Sequence, residues 1–490
     1  MLTTFLSLVL PLLCLRFMTG WRPAPWKTGP DLALLLGAGV GGGLLSGLWL
    51  ADFALVDGNL SASPDFWEYC GSTAALAADQ VEHFSHNRSR LAGWLPGRLA
   101  PTLGIEDALL VSAFASTIVL CCAAALWGRA AHSRLAGVAS ALLVGAVAPL
   151  AVLPRTLTFY PEILAGLLLC SATGLVALRW RTPVACLAAG VGAGIALLID
   201  ARGLIWALTA VGLGALAAIW GPSRRWHPRG LPLRVAALVL PLWISFVWGP
   251  WAYGHNAQSL EGITSPLREL RDRGLLDATV SIPPEPPTRF IWGRTPLSGI
   301  PGTLRTVAAM QDHVPEAARQ TREAQRGRAW WVDPWRPVVW GALVVVIVGL
   351  RRKPVLLIGM LGLMLPCALS LDSASGFKRA KPRFLANAML VLPPLLGVAA
   401  AVLAHGAPGR TVLTHGHWRR LALGVGVVVV MLLGIWPSWL GPDADWRVPL
   451  QRNDRALQQA RDNTTADAQG DARARCAAAI AAGPERRLTP

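Results

Sequence analysis

Apolar blocks close to the roughly 20 residues that cross a bilayer recur along almost the whole chain. Candidate spans fall at roughly 1–16, 31–56, 105–127, 134–153, 157–178, 183–199, 203–220, 231–253, 335–350, 354–371, 384–404 and 419–440. Charged residues make up only 15% of the 490 residues, against about 25% in ordinary soluble chains. The predicted fold class is therefore all-α: a polytopic transmembrane helical bundle of about 11–12 spans. Gly and Ala are frequent inside the blocks, including the run Gly41-Gly42-Gly43, as expected where helices approach closely in lipid. The first block lacks a basic start and a cleavage signal, and reads as a span rather than a removed leader.

The formal charge of +17 does not point to nucleic acid, because the arginines sit between spans, where the positive-inside rule places them. With Arg16, Arg22 and Lys27 in the cytoplasm, every alternate connection is basic: Arg129 and Arg134; Arg179 and Arg181; Arg224 to Arg234; Arg351 to Lys353; Arg410 to Arg420. Residues 1–440 then form a transmembrane module with outer loops at about 57–104 and 254–334, and 441–490 form a short extracytoplasmic tail. Of the 28 acidic residues only Asp31 falls on the cytoplasmic side. Carboxylates contribute little to topology, so their one-sided distribution marks the outer face as the place for chemistry. The expected location is the cell (inner or plasma) membrane, multi-pass, with the site outside.

The first outer loop begins Ser61-Ala-Ser-Pro-Asp-Phe-Trp-Glu-Tyr69. A short helix is predicted from about Pro64, lying along the membrane surface with Phe66 and Trp67 in the interface. Asp65 and Glu68, three apart, share one of its faces. Such a pair serves as a solvated helix cap, a general base or a divalent-metal site. Near the opposite end of the chain, Lys378, Arg379, Lys381 and Arg383 crowd one short outer connection. Four cations on the disfavoured side suit an anionic headgroup such as a lipid phosphate, or anionic lipid without catalysis. Glu162 and Asp200, with Arg155 and Arg202, stand at outer span ends, where acid and base are expected to pair.

These pieces carry a family resemblance. Ser63 to Tyr69, in a loop directly after an early span, resembles the first-loop signature of the GT-C glycosyltransferases, which include the protein mannosyltransferases (family 39-like) and the bacterial aminoarabinose transferases. Asn87 to Gly104 is similar to the segment leading into their next span. Thr158-Phe-Tyr-Pro-Glu-Ile-Leu164 resembles a Pro-Glu opening of a later span. Ile199-Asp-Ala-Arg-Gly-Leu204 resembles an arginine turn closing a helical pair, and Lys381-Pro-Arg-Phe-Leu385 an Arg-aromatic-Leu opening of a late span.

The resemblance implies a GT-C-like fold and an enzyme that moves a hexosyl or pentosyl group from a polyprenyl-phosphate sugar donor to an extracytoplasmic glycan, lipid or protein acceptor. It implies catalytic roles for Asp65 and Glu68. It implies substrate contacts from Tyr69, Arg155, Tyr160, Glu162, Asp200, Arg202, Lys378, Arg379, Lys381 and Arg383. Many members carry adjacent Asp-Glu acids where this chain has them three apart, so a divalent metal cofactor and the role of Glu68 stay open.

Amphipathic helices are expected on the outer face near 265–273 and 314–328, separated by the extended Pro-rich link 282–288. Cys70 and Cys476 alone face the oxidising side and form a candidate disulfide between first loop and tail. Two other readings use the same features. A lipid-linked substrate transporter or flippase calls for ionisable groups at midspan and paired halves. A non-catalytic scaffold keeps the basic loop without needing Asp65.

Overall fold

The computed structural model describes residues 28–57, 66–79, 89–146, 158–200, 203–220, 230–253, 335–351, 353–364, 366–367 and 390–405. Among them every regular element of length is an α-helix, and there is no strand. In chain order these are α1 Thr28–Asp57, α2 Phe66–Ala77, α3 Arg90–Leu103, α4 Ile105–Ala131, α5 Arg134–Ala146 and α6 Tyr160–Trp180. They continue as α7 Pro183–Ile199, α8 Gly203–Trp220, α9 Leu231–Tyr253, α10 Trp335–Leu350, α11 Pro354–Gly362 and α12 Leu392–His405. The expected spans at 1–16 and 419–440, the loop helices within 254–334 and the tail lie outside the described residues.

Helices α4, α6 and α8 are each long and apolar enough to cross a membrane. The outside of the bundle agrees. Leu32, Leu36, Val40 and Leu44 form an exposed stripe along α1, and Val235, Val239 and Trp243 another along α9. Outward apolar stripes of this length are costly in water and natural in lipid.

The inner helix is α6, buried at nearly every residue from Tyr160 to Leu178. It packs against α4, α7 and α8, while α7 lies between α6, α8 and α9. Small residues make that sandwich possible. A Cβ on Gly190 would stand 3.2 Å from the Pro241 ring in α9, and one on Gly192 3.1 Å from the Cys170 Cα in α6. In the same way Gly145 of α5 meets the Gly42 carbonyl of α1. Some buried polar groups pair across helices. The Trp127 indole donates to Ser171 Oγ at 3.0 Å, and Ser140 Oγ donates to the Pro394 carbonyl at 3.2 Å, tying α12 to α5.

Three elements depart from the sequence expectation. Helix α11 breaks at Gly362, where the Leu363 N–H bonds back to the Gly359 carbonyl; Met364, Pro366 and Cys367 beyond the break are again helical, and 368–371 lie outside the described residues. Inside the expected span 384–404, residues 390 and 391 form a turn before α12 starts at Leu392, with Pro393 and Pro394 in the first turn that tolerates them; 384–389 lie outside the described residues. Helix α2 is no surface helix along its described part: Tyr69 to Ala75 are buried, and it packs on α3.

Candidate functional site

Asp31, at the start of α1, receives Arg134 Nε at 2.6 Å and Arg129 Nε at 3.3 Å. The N-terminus of α1, the C-terminus of α4 and the N-terminus of α5 therefore share one end of the bundle. This is the end that the arginine pattern assigns to the cytoplasm, and there Asp31 is held by Arg129 and Arg134.

The candidate residues gather at the other end. Gly104, at φ 82°, turns the chain from α3 into α4, a conformation open to glycine at little cost. Ser89 caps α3, accepting from the Leu91 N–H at 3.1 Å, and its hydroxyl donates to the Leu198 carbonyl in the last turn of α7. That contact fixes the first-loop helices over the end of α7. Helix α2 docks through Tyr69, which is fully buried. Its ring meets Phe159 edge-on at 4.9 Å and Tyr160 at 6.3 Å. Gly93 and Gly97 of α3 leave room for Leu76, and Gly93 for Phe159.

Tyr160 opens α6, with its N–H on Thr158 Oγ1 at 3.4 Å and Pro161 in the first turn. Glu162 follows in that turn and is buried at 8% exposure. Its Oε1 accepts from Ser112 Oγ of α4 at 2.6 Å, and its Oε2 has no hydrogen-bond partner among the described residues. Ser112 is thus a partner of Glu162, while the expected arginine partners Arg155 and Arg202 lie outside the described residues. Asp200 caps the C-terminus of α7 in an extended conformation and is buried. Its carbonyl accepts from Gly203 N–H at 2.8 Å in the tight turn to α8.

Four of the sequence-predicted site residues, Tyr69, Tyr160, Glu162 and Asp200, thus stand at one end of the bundle. Asp65, Arg155, Arg202, Lys378, Arg379, Lys381 and Arg383 lie outside the described residues, as does the side chain of Glu68. Among the described residues no three His, Cys, Asp or Glu side chains come together as a metal site. Cys70, beside Tyr69, is disulfide-bonded, and the other five described cysteines are free; the expected partner Cys476 is outside the described residues. Ser89, Ser112 and Phe159 were not singled out from the sequence. Ser89 precedes the helix as an N-cap signal, whereas a serine inside an apolar span such as Ser112 gives no pattern to read.

Between these helices runs a cavity of about 380 Å³, walled by Leu169, Leu187, Val191, Ile195, Ile244 and Trp248 among others, with Glu162 on its wall.

No protein-family model matches the chain, and no curated protein matches it significantly. Among solved structures it is similar to the oligosaccharyltransferase AglB of Archaeoglobus fulgidus, in complex with an inhibitory peptide and a dolichol-phosphate, at 12% identity and a TM-score of 0.44. That likeness covers 90% of this chain and 59% of the other, so the chain spans about three-fifths of the length of that enzyme. The apo form of the Archaeoglobus enzyme gives 14% identity and a TM-score of 0.43 over the same shares. ArnT from Cupriavidus metallidurans, bound to undecaprenyl phosphate, is similar at 14% identity and a TM-score of 0.39, over 93% of this chain and 78% of that one.

Proposed function

We propose that this protein is a membrane-embedded glycosyltransferase that takes a sugar from a polyprenyl-phosphate carrier and passes it to an acceptor on the extracytoplasmic side. The observation that carries this reading is the docking of α2, through Tyr69, on the Phe159-Tyr160 end of α6. It joins two segments matched separately to the GT-C pattern at the end of the bundle opposite Asp31, Arg129 and Arg134.

In the reaction, the acceptor hydroxyl oxygen bonds to the anomeric carbon of the sugar. The bond from that carbon to the phosphate oxygen breaks, and polyprenyl phosphate leaves. Asp65, just before the first residue of α2, takes the hydroxyl proton. Lys378, Arg379, Lys381 and Arg383 stabilise the charge on the departing phosphate, with the Arg383 fork forming two bonds to it. The described acids favour this reading over a transporter, because Asp31, Glu162 and Asp200 stand at helix ends rather than at midspan.

The test separates the two roles. Asp65→Asn should lower transfer by about two to four orders of magnitude and leave polyprenyl-phosphate binding in nanodiscs unchanged. Arg383→Ala should weaken that binding as well as slow transfer, since the phosphate is present in both ground and transition states. Wild-type transfer by Asp65→Asn would move the base elsewhere, with Glu68 next in line. Wild-type transfer with neither acid present would remove both from the chemistry, and absence of any glycosyl transfer by the wild-type chain would leave the scaffold reading.

A further inference from the structure

The cavity beside Glu162 has a shape and a polarity that the transfer reaction does not use. Its walls come from α4, α6, α7 and α9, with Leu91 of α3, and they are apolar apart from Ser116, Glu162 and Ser245. Ser245 is satisfied within its own helix, donating to the Pro241 carbonyl at 2.8 Å. Ser116 stands beside the Glu162 carboxyl on the wall. Glu162 Oε1 is taken by Ser112. What remains is Glu162 Oε2, on a side chain more than nine-tenths buried and without a hydrogen-bond partner. Leaving such a group unmatched costs free energy comparable to a lost hydrogen bond or more.

Position completes the picture. A Cβ on Gly166, one turn beyond Glu162, would lie 3.0 Å from Ile199 and 3.4 Å from Ile195, so Glu162 is level with the outer end of α7. The cavity lining follows α7 from Leu187 to Ile199, about 18 Å at the α-helical rise. One leaflet of hydrocarbon is about 15 Å deep. The cavity therefore spans one leaflet, from a carboxyl at its outer end to an apolar floor. Val119 on its wall is 46% exposed on the bundle surface, which opens it sideways to lipid.

We infer that this groove is a binding site for one hydrocarbon chain of a membrane lipid whose head, next to the chain, is a hydroxyl or an ammonium that hydrogen-bonds Glu162 Oε2. A phosphate or carboxylate head is disfavoured, because it would be buried against the Glu162 carboxyl, and none of the described lining residues is a cation. The inference concerns a neutral or cationic head rather than the carrier phosphate, and it stands whether or not the chain transfers sugar.

The test uses the full-length protein in nanodiscs with photoreactive palmityl alcohol and the matched photoreactive palmitate, mapping adducts by mass spectrometry. The alcohol should label peptides of α7 and α9, about tenfold or more above palmitate. Labelling should fall about tenfold in Glu162→Leu, which removes the head contact, and be lost in Val191→Trp, which fills the groove. Ile244→Phe narrows it from the opposite wall, so the outcome does not hang on the folding of one variant; thermal unfolding verifies each. Adducts confined to other helices would overturn the inference. So would labelling that persists in folded Val191→Trp and Ile244→Phe, equal labelling by palmitate, or labelling indifferent to Glu162→Leu.

Discussion

Replacing Tyr69 by alanine should release α2 from the bundle. The side chain is fully buried and holds two edge-on aromatic contacts, with Phe159 at 4.9 Å and Tyr160 at 6.3 Å. Truncating a large aromatic in a packed site costs ~3–5 kcal/mol, to which each aromatic pair contributes ~0.5–1.5 kcal/mol. Helix α2 has only 12 residues, at the margin of what holds as an isolated helix, so its order rests on this packing. The loss should raise its local opening by about two to four orders of magnitude. The Cys70 disulfide remains in this variant and confines the effect to local opening. Hydrogen exchange read by mass spectrometry should show Phe66–Ala77 losing protection while the middle of α6 keeps it. Tyr69→Phe, which retains the ring, should stay much closer to wild type. Unchanged protection of α2 in Tyr69→Ala, or equal loss along the whole of α6, would refute the docking role.

Two further perturbations probe the frame of the site. Asp31→Asn removes the acid held by Arg129 and Arg134, whose side chains are 21% and 46% exposed. The ~3–5 kcal/mol typical of a broken buried pair is therefore discounted for solvent access to ~1–3 kcal/mol, seen as a lower unfolding temperature, and no change would argue against the pair. Cys476→Ser should leave Cys70 as a free thiol in mass spectrometry without reductant, and should cost ~2–5 kcal/mol of stability; Cys70 still bonded in that variant would assign its partner elsewhere.

The helix boundaries most legible in the sequence are those with strong punctuation. Thr182-Pro183 opens α7, the Thr182 hydroxyl accepting from Ala185 N–H, and Asp200 to Gly203 separates α7 from α8; both helices fall where hydropathy puts them. Helix α3 is harder to read, since Arg98, Pro96 and Pro101 interrupt its apolar pattern. Only its packing on α2 and α4 and the Ser89 cap account for it. At the site, the clustering of Tyr69, Tyr160, Glu162 and Asp200 at the end opposite Asp31 is what the alternation of basic connections, a property of the whole chain, leads one to expect. The Ser112–Glu162 bond does not follow, because it depends on the rotation of α4 against α6, and side-chain meetings across helices 50 residues apart leave no local trace.

The central claim, transfer of a sugar from a polyprenyl-phosphate carrier, can be tested without knowing which sugar. Membrane lipids are extracted from the native host carrying either the wild-type chain or Asp65→Asn and compared by mass spectrometry. The account predicts that the variant accumulates a lipid of the mass of polyprenyl phosphate plus one hexose or pentose residue, which wild type depletes. Identical polyprenyl-phosphate glycolipids in the two strains, with both proteins folded and present at equal level, would contradict it.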